Sequence, residues 1–166
     1  MTLSRDDISF VRLAAGEMPE SDIAALLSAE ESEIAAIEKE MGLECFYKRE
    51  MEWCVDCATY RTIVDGECPV CKAKKQLRDL IDVYRSEAKG TDVPNPAAYE
   101  SANTRRAKNA PPSMPSVHGL TLSQATEVME AYDKTVEAWE LQGIITEKNR
   151  VKKATQRVRD SKRRSR

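Results

Sequence analysis

Histidine is nearly missing from this chain: His118 is the only one among 166 residues. A single imidazole excludes, within one chain, an HNH-type nuclease, a zincin protease and any di-metal site held by paired histidines. His118 sits in a Pro-rich stretch and is assigned no role. Aromatic residues make up 5% and charged residues 33%, too little aromatic surface and too much charge for one large dry core. Long apolar runs are missing as well. No stretch reaches the roughly 18 apolar residues of a membrane span, so no membrane partner is expected. The opening MTLSRDDISF has no basic flank and no apolar run of signal-peptide type, so the expected location is the cytoplasm. No nucleophile–base pair, Gly-rich phosphate loop or paired-carboxylate constellation stands out. The chain is therefore expected to be a non-enzyme without a small-molecule substrate.

What is present is unevenly spread. The formal net charge is −2, from 26 basic and 28 acidic side chains. Residues 1–44 hold 3 basic and 11 acidic side chains, net −8, whereas residues 147–166 hold 10 basic and 2 acidic, net +8. Such a dipolar layout points to ends with different partners.

The spacing of apolar residues predicts three short helices over residues 1–44. The first runs from about Ser4 to Ala15, with Asp6 and Asp7 where the helix dipole favours anions and Gly16 at its end. Pro19 opens the second, with Ile23, Leu26 and Leu27 on its inner face. The third carries Ile34, Ile37 and Met41 and ends at Gly42-Leu43. Beyond the cysteines, Leu77, Leu80, Ile81, Tyr84 and Ala88 give a clean amphipathic helix. Residues 91–119 hold five of the seven prolines and read as an extended, partly disordered linker. Helix resumes near Leu120, with Ser123 as the expected N-cap. Val128, Met129, Tyr132, Val136 and Trp139 form an apolar stripe, and Gly143 is a point of bending or ending. That stripe needs a cover, either residues 77–88 or a second copy of the chain.

All five cysteines fall within residues 45–71. Cys54-Val55-Asp56-Cys57 and Cys68-Pro69-Val70-Cys71 are two CxxC pairs separated by ten residues. Each CxxC turn sets two sulfurs on one side of the chain. A hairpin over Arg61–Val64, with Asp65-Gly66 as its tight turn, would bring the pairs together around a tetrahedral Zn²⁺. A closed four-thiolate site is structural, because it leaves no position for an activated water. Disulfides fit less well without an oxidising compartment, and a redox dithiol needs one CxxC rather than two. The segment from about Trp53 to Lys74 resembles the zinc-ribbon family, which implies a structural metal and leaves the partner open. Four thiolates and one Zn²⁺ add −2, taking the formal charge from −2 to −4. Lys48, Arg49, Arg61, Lys72, Lys74 and Lys75 flank the site, and either offset that charge or form a phosphate-contacting strip. Cys45, nine residues before the first pair, reads as a free, buried thiol.

The stretch from Ser21 to Leu43 resembles the helix-turn-helix of bacterial and phage regulators. Ile23-Ala24-Ala25-Leu26-Leu27 matches the motif's first helix, Ile34 and Ile37 its second, and Met41-Gly42-Leu43 its ending. The resemblance implies a tri-helical unit. The family usually has Gly where this chain has Ser28, and Ser or Thr where it has Glu30. The helix that would read bases carries Glu31, Glu33, Glu38 and Glu40 against a single Lys39. Such a face repels phosphates, since affinity for a duplex comes mainly from Lys and Arg.

Cationic chemistry lies at the other end. Lys148, Arg150, Lys152, Lys153, Arg157, Arg159, Arg163 and Arg164 are the expected nucleic-acid contacts, giving sequence-independent binding to phosphates. A solvated tail, or self-association of this tail with the acidic unit of another copy, is the bland counterpart. The expected fold is mainly α: a three-helix unit at residues 1–44, a small four-cysteine zinc ribbon with a β-hairpin plus a helix at 45–90, the linker at 91–119, and helices with a basic end at 120–166. The expected function is a small zinc-containing nucleic-acid-binding protein, either a regulator or a DNA-packaging-type adaptor. The rival is a protein-interaction adaptor or inhibitor whose acidic unit docks on a basic partner surface. A protein partner or homo-oligomer fits both.

Overall fold

A computed structural model describes residues 3–91 and 110–166 of the chain. Most of the expected linker thus lies outside the described residues. The architecture is mainly helical with one small antiparallel two-stranded sheet. Among the described residues no helix is long and apolar enough to cross a membrane. The chain divides into two units, one of residues 1–51 with 114–132 and one of residues 52–113 with 133–166.

In the first unit, helix α1 spans Arg5–Ala14. The Ser4 hydroxyl accepts from the Asp7 N–H at 3.1 Å, and the Asp7 carboxylate accepts from the Ser4 N–H at 2.8 Å, so two otherwise orphaned donors are satisfied. That bonding also holds the Asp7 carboxyl below its ordinary range. Helix α2 spans Glu20–Leu27 and α3 Glu31–Met41. Ser28 ends α2 in the left-handed region at φ 53°, and Gly42 ends α3 at φ 63°. Val11, Ala14, Ile23, Ala24 and Ile34 are buried together, flanked by Phe10, Met18, Leu27 and Ile37. Two expected inner-face residues are not there: Leu26 and Met41 are exposed. Helices this short bury a narrow stripe, and both residues fall just outside it.

Residues 43–50 form neither helix nor strand and are pinned by side chains of the last helix, α5 (Leu122–Arg164). Thr121 caps α5 by reciprocal bonds with Gln124, each 3.2 Å. Ser123 is therefore not the cap. It lies buried at the second helical position, where its hydroxyl accepts from the Tyr47 N–H at 2.9 Å and donates to the Cys45 carbonyl at 3.0 Å. Glu130 accepts from the Tyr47 hydroxyl at 3.0 Å and the Glu50 N–H at 2.9 Å. Backbone outside helix and sheet must find side-chain acceptors, and these polar residues supply them.

In the second unit, β1 (Glu52–Cys54) pairs with β2 (Thr59–Arg61), with Trp53 opposite Tyr60. Helix α4 spans Pro69–Ala88. The strands thus run into and out of the first CxxC, and of the expected Arg61–Val64 stretch only Arg61 lies in a strand. Asp65-Gly66 still makes a tight turn, at φ 52° and 73°, closed by a lone bridge between Val64 and Glu67. Tyr84 of α4 is buried with Val151 and Val158 of α5, with Leu77, Leu80, Ile81, Ala88 and Ala154 around them. The amphipathic face of α4 is therefore covered by the weakly apolar end of α5.

Along α5 a line of buried positions recurs every seven residues, Ser123, Glu130, Glu137, Ile144, Val151 and Val158, with Thr155 buried beside its end. The helix continues through Gly143 without ending. The stripe expected from Val128 to Trp139 is only partly covered, and Trp139 is 37% exposed. The buried face at that level is polar instead, because it serves backbone N–H groups and an arginine.

Candidate metal centre

Two local turns build the cysteine site. The first CxxC is the loop of the β1–β2 hairpin, closed by Ala58 N–H donating to the Val55 carbonyl at 3.3 Å. Ala58 adopts φ 51° to complete this loop. The second CxxC is the start of α4: Cys68 is its N-cap, Pro69 takes the first helical position and Cys71 lies in the first turn. Proline is pre-organised there, since its missing N–H would be unpaired in any case. The helix start also favours negative charge on these thiols.

The four cysteines converge within 4.8 Å of one another. Sγ–Sγ distances are 3.7 Å for Cys54–Cys71, 3.8 Å for Cys57–Cys68 and 3.5 Å for Cys57–Cys71. Four sulfurs around an ion with bonds of about 2.3 Å stand roughly 3.8 Å apart, so the cage already has tetrahedral dimensions. A disulfide requires about 2.05 Å, and all five cysteines are free thiols. The cluster is arranged to hold a metal ion. The Cys57 backbone N–H draws the Cys54 thiol down to about 7. Burial pushes Cys68 and Cys71 up. Ile63, Val70, Ala73, Leu77, Leu141 and Ile144 pack around Cys54 and Cys68 and keep the site dry.

Arg61, at the end of β2, is the cation of this site. Its side chain is only 3% exposed and reaches Glu140 of α5 at 2.6 Å. Its Nε has no hydrogen-bond partner among the described residues. Burial opposes its charge, but the Cys57 thiol and the Glu140 carboxylate outweigh that and raise its pKa. Four thiolates around a divalent ion carry −2, and a buried guanidinium beside them offsets part of it. Next along the chain, the Thr62 N–H donates to Glu137 at 2.7 Å. Arg61 is thus removed from any phosphate-contacting strip. Lys72 is drawn to Glu67 at 3.2 Å, and Lys48 to Glu31 at 2.7 Å. Lys74 and Lys75 stay exposed.

Cys45 is exposed rather than buried, because the backbone around it is held by hydrogen bonds and not by packing. Glu137, Glu140 and the burial of Arg61 escaped the reading by apolar periodicity. The seven-residue spacing from Glu130 through Glu137 to Ile144, Val151 and Val158 marks Glu137, whereas no spacing marks Glu140 or the burial of Arg61.

The basic end is helical up to Arg164. Arg159 makes a two-pronged bond to Glu87, at 2.6–3.0 Å, and Lys148 bonds Gln76. Lys152, Lys153, Arg157, Arg163 and Arg164 are exposed, and Arg150 half-exposed. Helical spacing puts Arg150, Lys153, Arg157 and Arg164 on one face, opposite Ile144, Val151 and Val158. His118 is exposed.

No protein-family model, no curated protein and no solved structure matches this chain.

Proposed function

We propose that the chain is a small zinc-containing nucleic-acid-binding protein, a regulator or a DNA-packaging-type adaptor, and not an enzyme. The observation that carries this reading is the cationic face of α5. Arg150, Lys153, Arg157 and Arg164 stand on a helix whose opposite face packs against Tyr84 and its neighbours. A packed helix holds its charges in a fixed row, which suits a run of phosphates better than a loose tail does. Zinc is the ion that four thiolates at this spacing favour. It ties the β1–β2 hairpin to the start of α4 and carries no chemistry of its own. The left-handed Ser28 stands where helix-turn-helix proteins usually place glycine, which supports that resemblance for α2 and α3. The acidic surface of α3 argues against its reading bases unaided.

A second reading has its own support. Leu13 and Leu26 are 81% and 64% exposed within residues 1–44, which carry net −8. Apolar side chains among carboxylates fit a basic, partly apolar protein surface. The acidic unit would then dock on a protein and serve as an adaptor without nucleic acid.

Charge reversal of Arg150, Lys153, Arg157 and Arg164 to Glu separates the two. Deleting residues 147–166 is a poorer test, since it strips Val151 and Val158 from α4. Duplex DNA binding is measured against salt for the full chain and the reversed variant, with zinc content and helicity as controls. The wild type should weaken steeply with salt, by roughly 0.9 log units per log salt for each phosphate neutralised, and the variant should lose most affinity and slope. Wild-type-like binding by a folded variant overturns the assignment to this face. No binding by either protein favours the protein-docking reading.

A further inference from the structure

Glu38 is the oddest residue in the first unit. It lies in the second half of α3, 0% exposed, and neither carboxylate oxygen has a hydrogen-bond partner among the described residues. A buried carboxylate without donors needs either a proton or a cation. A proton would leave Glu38 only the Glu20 carboxylate and the Cys45 thiol to bond, the same two groups that could share an ion with it. The carboxylate is not left among apolar side chains. One oxygen of Glu38, one of Glu20 and the Cys45 sulfur all lie within 4.8 Å of one another.

We propose that Glu20, Glu38 and Cys45 form a second metal site, distinct from the four-cysteine cage, which takes a divalent first-row transition ion such as Zn²⁺. The donor set selects this class. Two carboxylates and one thiolate suit a borderline ion, whereas Ca²⁺ and Mg²⁺ take oxygen alone. Zn–O bonds of about 2.0 Å and a Zn–S bond of about 2.3 Å put ligand atoms roughly 3.3–3.6 Å apart, so the three need close by at most about 1.5 Å. The structure leaves room for that. Glu38 is fixed by burial, while Glu20 is only half-buried at the first position of α2 and Cys45 is exposed in the segment after α3. The ion would therefore clamp α2, α3 and that segment onto one buried anchor. Its own charge would relieve residues 1–44, which carry net −8. Three protein ligands leave a fourth position on the exposed Cys45 side for water. That sets this open site apart from the closed four-cysteine cage.

The test uses the full-length chain with its four-cysteine site loaded, titrated with ZnCl₂ under reducing conditions. Native mass spectrometry should count two zinc ions per chain, and alkylation of Cys45 should slow at least about tenfold when the second binds, since coordination removes the free thiolate. Glu38→Gln and Cys45→Ser should each return the count to one and leave the first ion in place. The exposed Cys45 gives a variant that does not disturb the core, should Glu38→Gln fail to fold. Glu38→Gln should also raise the melting temperature of the zinc-poor protein, because it removes a buried acid, while abolishing the rise that added zinc gives the wild type. A count that stays at one, with Cys45 equally reactive at saturating zinc, overturns the proposal. A second ion retained by the folded variants also overturns it, by placing that ion elsewhere.

Discussion

Arg61 and Glu140 meet at 2.6 Å, a bond between the end of a three-residue strand and the middle of a 43-residue helix. The arginine side chain is only 3% exposed, whereas Glu140 keeps 28%, so solvent reaches the carboxylate but cannot replace it at the guanidinium. Removing Glu140 leaves a guanidinium buried and unpaired beside the cysteines. Glu140→Ala should therefore cost about 3–5 kcal/mol, read by denaturant unfolding of the metal-loaded protein. Replacing both partners together, Arg61→Met with Glu140→Leu, should cost much less. An additive double loss would show that the two residues do not act as a pair.

Metal removal should unfold the cysteine region locally. The β1–β2 hairpin has only three residues per strand, too few to stand without a cross-link. Chelation, or loss of the cage ion through Cys68→Ser, should collapse the amide-proton dispersion of residues 52–72. The α1–α3 core contains none of these cysteines, and its resonances should persist. Retention of one metal ion per chain by Cys68→Ser combined with Cys45→Ser would count against the four-thiolate cage.

The Glu87–Arg159 pair sets a pH dependence for the packing of α4 on α5. The Arg159 guanidinium holds the Glu87 carboxyl below its ordinary value of 4.5. A lowered folded-state value means the unfolded chain binds the proton more readily. The pair's contribution is thus present above pH 4.5 and is lost as pH falls through the lower folded value. Arg159→Gln should flatten the acid limb of the melting-temperature profile. Because the pair lies at the surface, the effect should shrink in high salt.

Ser28 closes α2 at φ 53°, where a side chain other than glycine costs about 1–2 kcal/mol. Ser28→Gly should stabilise the three-helix unit by up to about 1 kcal/mol, after the added chain entropy of glycine is discounted. Thermal unfolding measures it. A destabilised variant would mean that the Ser28 side chain does more than tolerate the turn.

The parts of this chain governed by local rules were legible before folding. Gly16, Pro19 and Gly42 bound the short helices, since each acts through its own backbone preferences. The two CxxC pairs announce a metal cage because two turns and four sulfurs need little else. Legibility failed where a side chain's meaning depends on what faces it. Ser123 has the chemistry of a cap, yet Thr121 caps α5 and Ser123 bonds residues 45 and 47. Asp65-Gly66 makes its turn, but the strands form around Cys54 and Cys57 because the metal knuckle is itself a hairpin loop.

Sequence by itself determined the elements, the cysteine cage and the separation of acidic from basic charge, all of which depend on residue type and spacing along the chain. Only the tertiary structure decided which face of α5 is buried. Apolar periodicity pointed to Val128, Met129, Tyr132, Val136 and Trp139, whereas the buried line runs through Ser123, Glu130 and Glu137 to Ile144, Val151 and Val158. The backbone at residues 45–50 and 62 and the guanidinium of Arg61 all require partners once water is excluded. The free energy of leaving such groups unbonded outweighs that of covering a partly exposed apolar stripe.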